Sequence, residues 1–114
     1  MGSIVNSVAY KGGIRQSDVP IEDISEVLRE PDTFVWLGLL EPDEALLRQL
    51  QEEFELHELA VEDAHVAHQR PKVEAYRNAL FVVLHPAWLE GEEIRFGETH
   101  LFIGKRFLVS IRHG

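Results

Sequence analysis

The chain has 114 residues, 20 acids against 11 bases, a formal net charge of -9 and no cysteine. The lack of Cys excludes disulfides, iron–sulfur clusters and thiolate zinc sites, and the acidic balance argues against a nucleic-acid partner, which needs a basic footprint. An apolar share of 45% at this length predicts a single domain over residues 1–114 that can bury a core without staples.

The longest apolar run, residues 79–84, falls far short of the about 20 residues of a membrane span. The start, Met1 to Asn6, has no basic stretch followed by an apolar one, so it does not read as a signal peptide, and Asn6 breaks the myristoylation pattern. Residues 4–10 read as a strand and Lys11-Gly12-Gly13 as a turn. Ser17 to Pro20 leads into a helix over residues 21–28, where Ile21, Ile24, Val27 and Leu28 share a face and Pro31 stops the run. Residues 33–40 are apolar at both parities and suit a buried strand holding Trp36. Pro42 among Glu41, Asp43 and Glu44 opens a helix with the stripe Leu46, Leu47, Leu50 and Phe54. A shorter helix covers about residues 57–66, and Pro71 ends what precedes it. Residues 72–76 alternate as a strand, Arg77-Asn78 offers a turn, and residues 79–85 form a buried strand. Residues 86–93 read as a loop carrying Trp88. Residues 94–96 begin a strand that Gly97 interrupts and residues 99–103 continue. Gly104-Lys105 reads as a two-residue hairpin turn from which residues 106–112 pair back.

The order is strand, helix, strand, two helices, four strands. It predicts an α/β fold of the α+β type, a mixed sheet with helices on one face. Two central strands are apolar on both sides, so the second face calls for a cover from further chain or from a partner.

The densest polar stretch is ELAVEDAHVAHQRPKVE, residues 58–74. His57-Glu58 is not the start of a zincin HExxH, because Val61 stands where the second His belongs. Glu58, Glu62 and His65 share a helical face, which reads as a solvated polar face. Asp63 falls within the stripe Leu56, Leu59, Ala60 and Ala67. A buried carboxylate without a partner is costly, and spacing favours an ion pair with Arg70 or Lys72, or contact with backbone amides, over a metal. Glu62 and Asp63 as neighbours point to different helix faces, which disfavours a shared acid/base site. No nucleophile elbow or glycine-rich phosphate loop is present, so no enzyme is expected.

Residues 54–85 resemble the signature of the amino-terminal cytoplasmic domain of CorA-type magnesium and cobalt transporters. The matching positions are Phe54, Leu56, His57, Leu59, Glu62, Asp63, the run Gln69-Arg70-Pro71-Lys72-Val73-Glu74, and Tyr76. Val35-Trp36-Leu37 resembles the family's tryptophan strand, with Gly38 replacing the usual polar residue, and residues 102–109 resemble its late hairpin. The likeness covers about residues 33–112. It implies an αβα-sandwich domain of a homo-oligomer, a pentamer, whose subunits also carry a stalk helix and two membrane helices with Gly-Met-Asn at the pore. It implies that Asp63 helps bind a regulatory divalent cation, Mg2+, between neighbouring subunits, that Glu62 belongs to a second, weaker site, and that His57, Gln69, Arg70, Pro71, Lys72 and Glu74 are structural signature residues. The only Met is Met1, so Gly-Met-Asn is lacking, and stalk and membrane helices are lacking too. The expectation is therefore a truncated form that conducts no ions and supplies half a site, as a monomer or dimer on the cytoplasmic side of the inner membrane, reaching the membrane only through the missing helices. Co2+ or Zn2+ is a further candidate ion. The alternatives are a zinc-transporting relative that binds zinc through His57, His65 or His68, and a free-standing interaction module.

Overall fold

A computed structural model describes residues 4–113 of the chain. The elements in order are β1 (Ile4–Lys11), β2 (Ile14–Asp18), a 3-10 turn (Ile21–Asp23) running into α1 (Ile24–Val27), β3 (Thr33–Leu40), α2 (Glu44–Phe54), α3 (Glu58–His65), β4 (Lys72–Ala75), β5 (Leu80–Leu84), β6 (Ala87–Glu90), β7 (Glu93–Phe96), β8 (Glu98–Ile103) and β9 (Phe107–His113). Seven strands form one sheet in the order β2-β1-β3-β9-β8-β5-β4, and β6 and β7 form a separate pair. Strands β3 and β9 run parallel; the remaining neighbours are antiparallel.

Alternation along the strands divides the sheet into two unlike faces. Val35, Leu37 and Leu39 of β3, Val109 and Ile111 of β9, Phe102 of β8 and Phe81 and Val83 of β5 point to one side and are buried. Against them pack Ile24 of α1, Leu47, Leu50 and Phe54 of α2, and Ala60, Val61 and Ala64 of α3. The helices start where the sequence supplies caps. Asp43 Oδ1 accepts from the Leu46 N–H at 2.8 Å at the head of α2, and Glu55 closes that helix in the left-handed region at φ 55. His57 Nδ1 accepts from the Leu59 N–H at 3.1 Å at the head of α3. On the opposite face, Trp36, Leu101 and Leu108 are half-buried, while Val73, Leu80, Leu84 and Ile103 are exposed. No helix among the described residues joins that face, so one helical layer covers one side, as the mixed α/β reading requires.

The differences from expectation sit at sheet edges. β2 was not foreseen: every residue of IRQSD is exposed, so no alternation marks it. The 21–28 helix divides into the 3-10 turn and the four-residue α1. The 86–93 segment is not a loop; its first half is β6, paired with β7. Six strands therefore follow α3, rather than four. The last hairpin turns one residue later than read. Gly104 N–H donates to the Phe107 carbonyl at 2.9 Å, which leaves Lys105 and Arg106 as the loop. Gly104 is needed for room and not for its φ, because a Cβ there would lie 2.4 Å from the Phe107 ring. Residues 1–3, read above for targeting signals, and Gly114 lie outside the described residues.

The β5–β8 and β6–β7 pairs share one register. Leu84 opposes Thr99 in the first and Ala87 opposes Phe96 in the second, and Gly97 N–H donates to the Pro86 carbonyl at 2.9 Å between them. Pro86 has no N–H to return that bond, which breaks the ladder without shifting it. β6–β7 is thus an arm that prolongs the sheet beyond the reach of the helices.

Candidate functional site

Helix α3 ends in a set of hydrogen bonds made by the residues after it. The Gln69 side-chain amide donates to the Asp63 carbonyl and, at 2.7 Å, to the Val66 carbonyl, tying off the last turn. His68 sits in the left-handed region at φ 67, turning the chain so that Pro71 and Lys72 enter β4. Lys72 then reaches back. Its Nζ lies 3.0 Å from Asp63 Oδ2 and 2.9 Å from Glu74 Oε1. One ammonium is shared by two carboxylates. The hydrogen bonds it donates to Glu74 and then to Asp63 hold the Lys72 amine above its ordinary value. The partner that the Asp63 spacing called for is therefore Lys72.

The apolar stripe of α3 is turned from the one read in the sequence. Ala60, Val61 and Ala64 are buried, whereas Leu59 is 58% exposed. Asp63 consequently lies at the margin of the buried stripe, with its side chain 41% exposed. Glu62 is exposed and lines a shallow recess with His65, Glu44 and Arg48.

A second polar cluster, at the start of β8, was not anticipated. Glu98 and His100 occupy the helix-facing parity of the strand, next to Phe102, and both are buried. Glu98 Oε1 accepts from the backbone N–H groups of His68 at 2.7 Å and Gln69 at 3.2 Å, and Glu98 Oε2 lies 2.5 Å from His100 Nε2. Burial works against the Glu98 carboxylate, but the bonds from His100 and from the two N–H groups outweigh it and hold the carboxyl below its ordinary value. Burial also pushes His100 below its ordinary value, against the hydrogen bond to Glu98. A neutral imidazole that donates through Nε2 fits this setting, and it leaves the buried Nδ1 without a partner. The His113 ring packs against His100 at a tilt of 57°, with ring centroids 4.6 Å apart, and His113 bonds through Nε2 to the Ala64 carbonyl at 2.9 Å. His85 bonds to the Gln69 carbonyl at 2.6 Å. The sequence signal for this cluster was the alternation Glu98-x-His100-x-Phe102, polar residues on a buried parity.

This second cluster borders a cleft of about 720 Å³ whose walls include His68, Arg70, Pro71, His85, Glu98 and His113. The signature residues of the sequence therefore meet around the exit of α3. Gln69 caps the helix, Lys72 bridges Asp63 and Glu74, and Arg70 and Pro71 form the cleft wall. His57 stands apart, at the other end of the eight-residue α3, stacked on Tyr76 at 4.7 Å between centroids. Such a helix is about 12 Å long, so His57 and His65 do not share one ion. Among the described residues no group of three or more His, Asp or Glu side chains is arranged to hold a metal.

The family model of the CorA-like Mg2+ transporter protein matches residues 31–114. The chain belongs to the CorA-like family. A relative from Bacillus subtilis (strain 168), named "Putative metal ion transporter YfjQ", is 31% identical over 94 residues, which is 82% of this chain and 28% of that protein. The full-length CmaX protein superposes with a TM-score of 0.71 at 18% identity, over 98% of this chain and 35% of its own. The ZntB cytoplasmic domain from Vibrio parahaemolyticus RIMD 2210633 superposes with a TM-score of 0.65 at 11% identity, over 98% of this chain and 44% of its own. At these identities the two structures show a common fold. The chain thus spans about a quarter of the length of the Bacillus relative and less than half of each of the two structures. No helix among its described residues is long and apolar enough to cross a membrane.

Proposed function

We propose that this chain is the regulatory cytoplasmic part of a CorA-type divalent cation transporter, and that Asp63 offers a carboxylate to Mg2+ where two subunits meet. Family membership supports the transporter reading. The shared ammonium of Lys72, held by Asp63 and Glu74, supports the choice of site. It marks a place where two carboxylates already accommodate one positive charge at the surface. Oxygen donors suit Mg2+, which keeps several waters and takes one or two carboxylates. A further carboxylate from a neighbouring subunit would let the divalent ion compete with Lys72. Acids gathered at such a contact repel each other, and a bound cation relieves the repulsion and favours the state in which the subunits are locked. Glu62 faces solvent one residue away and adds negative charge rather than a second ligand to the same ion.

The test is the substitution Asp63→Ala in the full-length transporter. Inhibition of uptake by magnesium is expected to weaken, and inhibition that stays unchanged would remove Asp63 from the mechanism. The fold shared with a ZntB cytoplasmic domain supports a second reading in which zinc is the cargo. Uptake of one ion in competition with the other, Zn2+ against Mg2+, separates the two.

A further inference from the structure

The β6–β7 arm and the opposite end of the sheet are complementary in two independent respects. The arm is amphipathic. Leu89 faces Ile94 and Ala87 faces Phe96 across the ladder, and by alternation these four continue the side of the sheet that the helices cover further back. Nothing covers them here: Leu89 is 71%, Ile94 63% and Phe96 70% exposed. An isolated two-stranded hairpin is marginal in water, so such a face gains from a partner. The tip is acidic. Glu90, Glu92 and Glu93 stand against Arg95, which lies 3.3 Å from Glu93 and 3.9 Å from Glu90, and Glu92 has no ion pair among the described residues.

At the far end of β5 and β8 lies a pocket of about 640 Å³. Its floor is apolar, made by Tyr76, Leu80, Ile103 and Phe107. Its rim carries three cations, Arg77, Lys105 and Arg106, and no carboxylate belongs to its lining among the described residues. This is unusual on a chain whose net charge is -9. Arg106 is anchored by bonds to the Glu30 carbonyl and to Thr33, which neutralise none of its charge. Arg77 and Lys105 have no acidic partner among the described residues.

We propose that the arm of one copy of this chain docks tip first into the basic pocket of a second copy. Leu89 and Ile94 meet the apolar floor, and Glu92 and Glu93 meet Lys105 and Arg77. The arm cannot reach the pocket of its own chain. Leu80 in the pocket and Glu90 at the tip are ten residues apart along a nearly continuous strand, roughly 33 Å, in a molecule 47 Å long. The contact is therefore head-to-tail. Such a contact uses different surfaces on the two copies and leaves one arm and one pocket free, so it builds a ring where the rotation closes. The arm is short, which places the contact among weak, electrostatically steered ones.

The absence of cysteine makes a direct test clean. Chains carrying Glu92→Cys and chains carrying Lys105→Cys are mixed under mild oxidation. The mixed disulfide is expected in at least about tenfold excess over that formed between Glu92→Cys and the control Gln16→Cys, an exposed site on β2. Equal yields overturn the proposal. Sedimentation equilibrium of the whole chain supplies the second arm. R77E with K105E is expected to raise the dissociation constant about tenfold or more, and mixing that variant with E92K/E93K to restore association. All of these side chains are at the surface, so folding is checked by circular dichroism. A chain that stays monomeric overturns the proposal. So does association that survives R77E/K105E but is lost with V73E, which would assign it to the bare sheet face.

Discussion

Asp63 and Glu98 lie on either side of the same short segment, residues 68–72, and their environments are opposite. Asp63 is 41% exposed and answers to one flexible lysine that it shares with Glu74. Glu98 is buried, and its two oxygens take bonds from two backbone N–H groups and a buried imidazole. The first carboxylate is neutralised by a group that can leave; the second is built in. A surface pair contributes little to stability and can exchange partners, whereas a buried carboxylate with every oxygen occupied fixes the chain around it and is costly to disturb. The adaptable acid is the one available for a ligand. The fixed acid sets the path of residues 68–72 and so the position of Lys72.

That contrast can be broken from the buried side first. Glu98→Ala leaves two N–H groups and His100 without a partner, and we expect a loss of about 3 kcal/mol of stability, read as a midpoint shift in urea unfolding. A cost no larger than that of a surface change would mean that water replaces the carboxylate. The next effect is on pH dependence. His100 titrates below its ordinary value when folded, so the unfolded chain takes up a proton first as pH falls, and stability declines from about pH 6.5 downward. Glu98 is also held low, so its contribution is present above the unfolded carboxyl value of about 4.3 and is lost as pH falls further, through the folded value. Both act in the same direction. His100→Asn is expected to flatten the upper part of a melting-temperature profile between pH 7 and 5, and an unchanged slope would exclude His100 as its source. The smallest effect is on the exposed side. Asp63→Asn is expected to change stability by less than about 1 kcal/mol, although the Asp63 charge matters for the proposed response to magnesium. A large loss of stability would make Asp63 a structural acid like Glu98.

The sequence made the central elements readable because burial imposes a period. β3, α2 and β5 follow from stripes of Leu, Ile, Val and Phe, and the signature around Gln69 to Glu74 points to the family on residue types alone. The edges were not readable for the same reason. β2 has no buried residue, and the apolar face of β6 is turned to solvent, so neither carries the alternation that marks a half-buried strand. Pro86 and Gly91 then made β6 look like a loop. Within the site, Asp63 drew notice as an acid on an apolar stripe, and the spacing to Lys72 offered its partner. The stripe itself was misplaced by Leu59, which is exposed. The Glu98–His100 pair escaped because the further partners of Glu98, the N–H groups of His68 and Gln69, are backbone atoms about thirty positions away and leave no mark in residue types.

The common register of β5–β8 and β6–β7 restricts how this arm can change in length. Each strand residue removed from one side alone would turn Leu89 away from Ile94 and swap the apolar and charged faces beyond the break. Removal of opposed residues in pairs, such as Glu90 with Glu93, shortens the arm and leaves its two faces in place. Relatives of this chain are therefore expected to differ in the arm by insertions and deletions of even total number, added symmetrically about the Gly91-Glu92 turn.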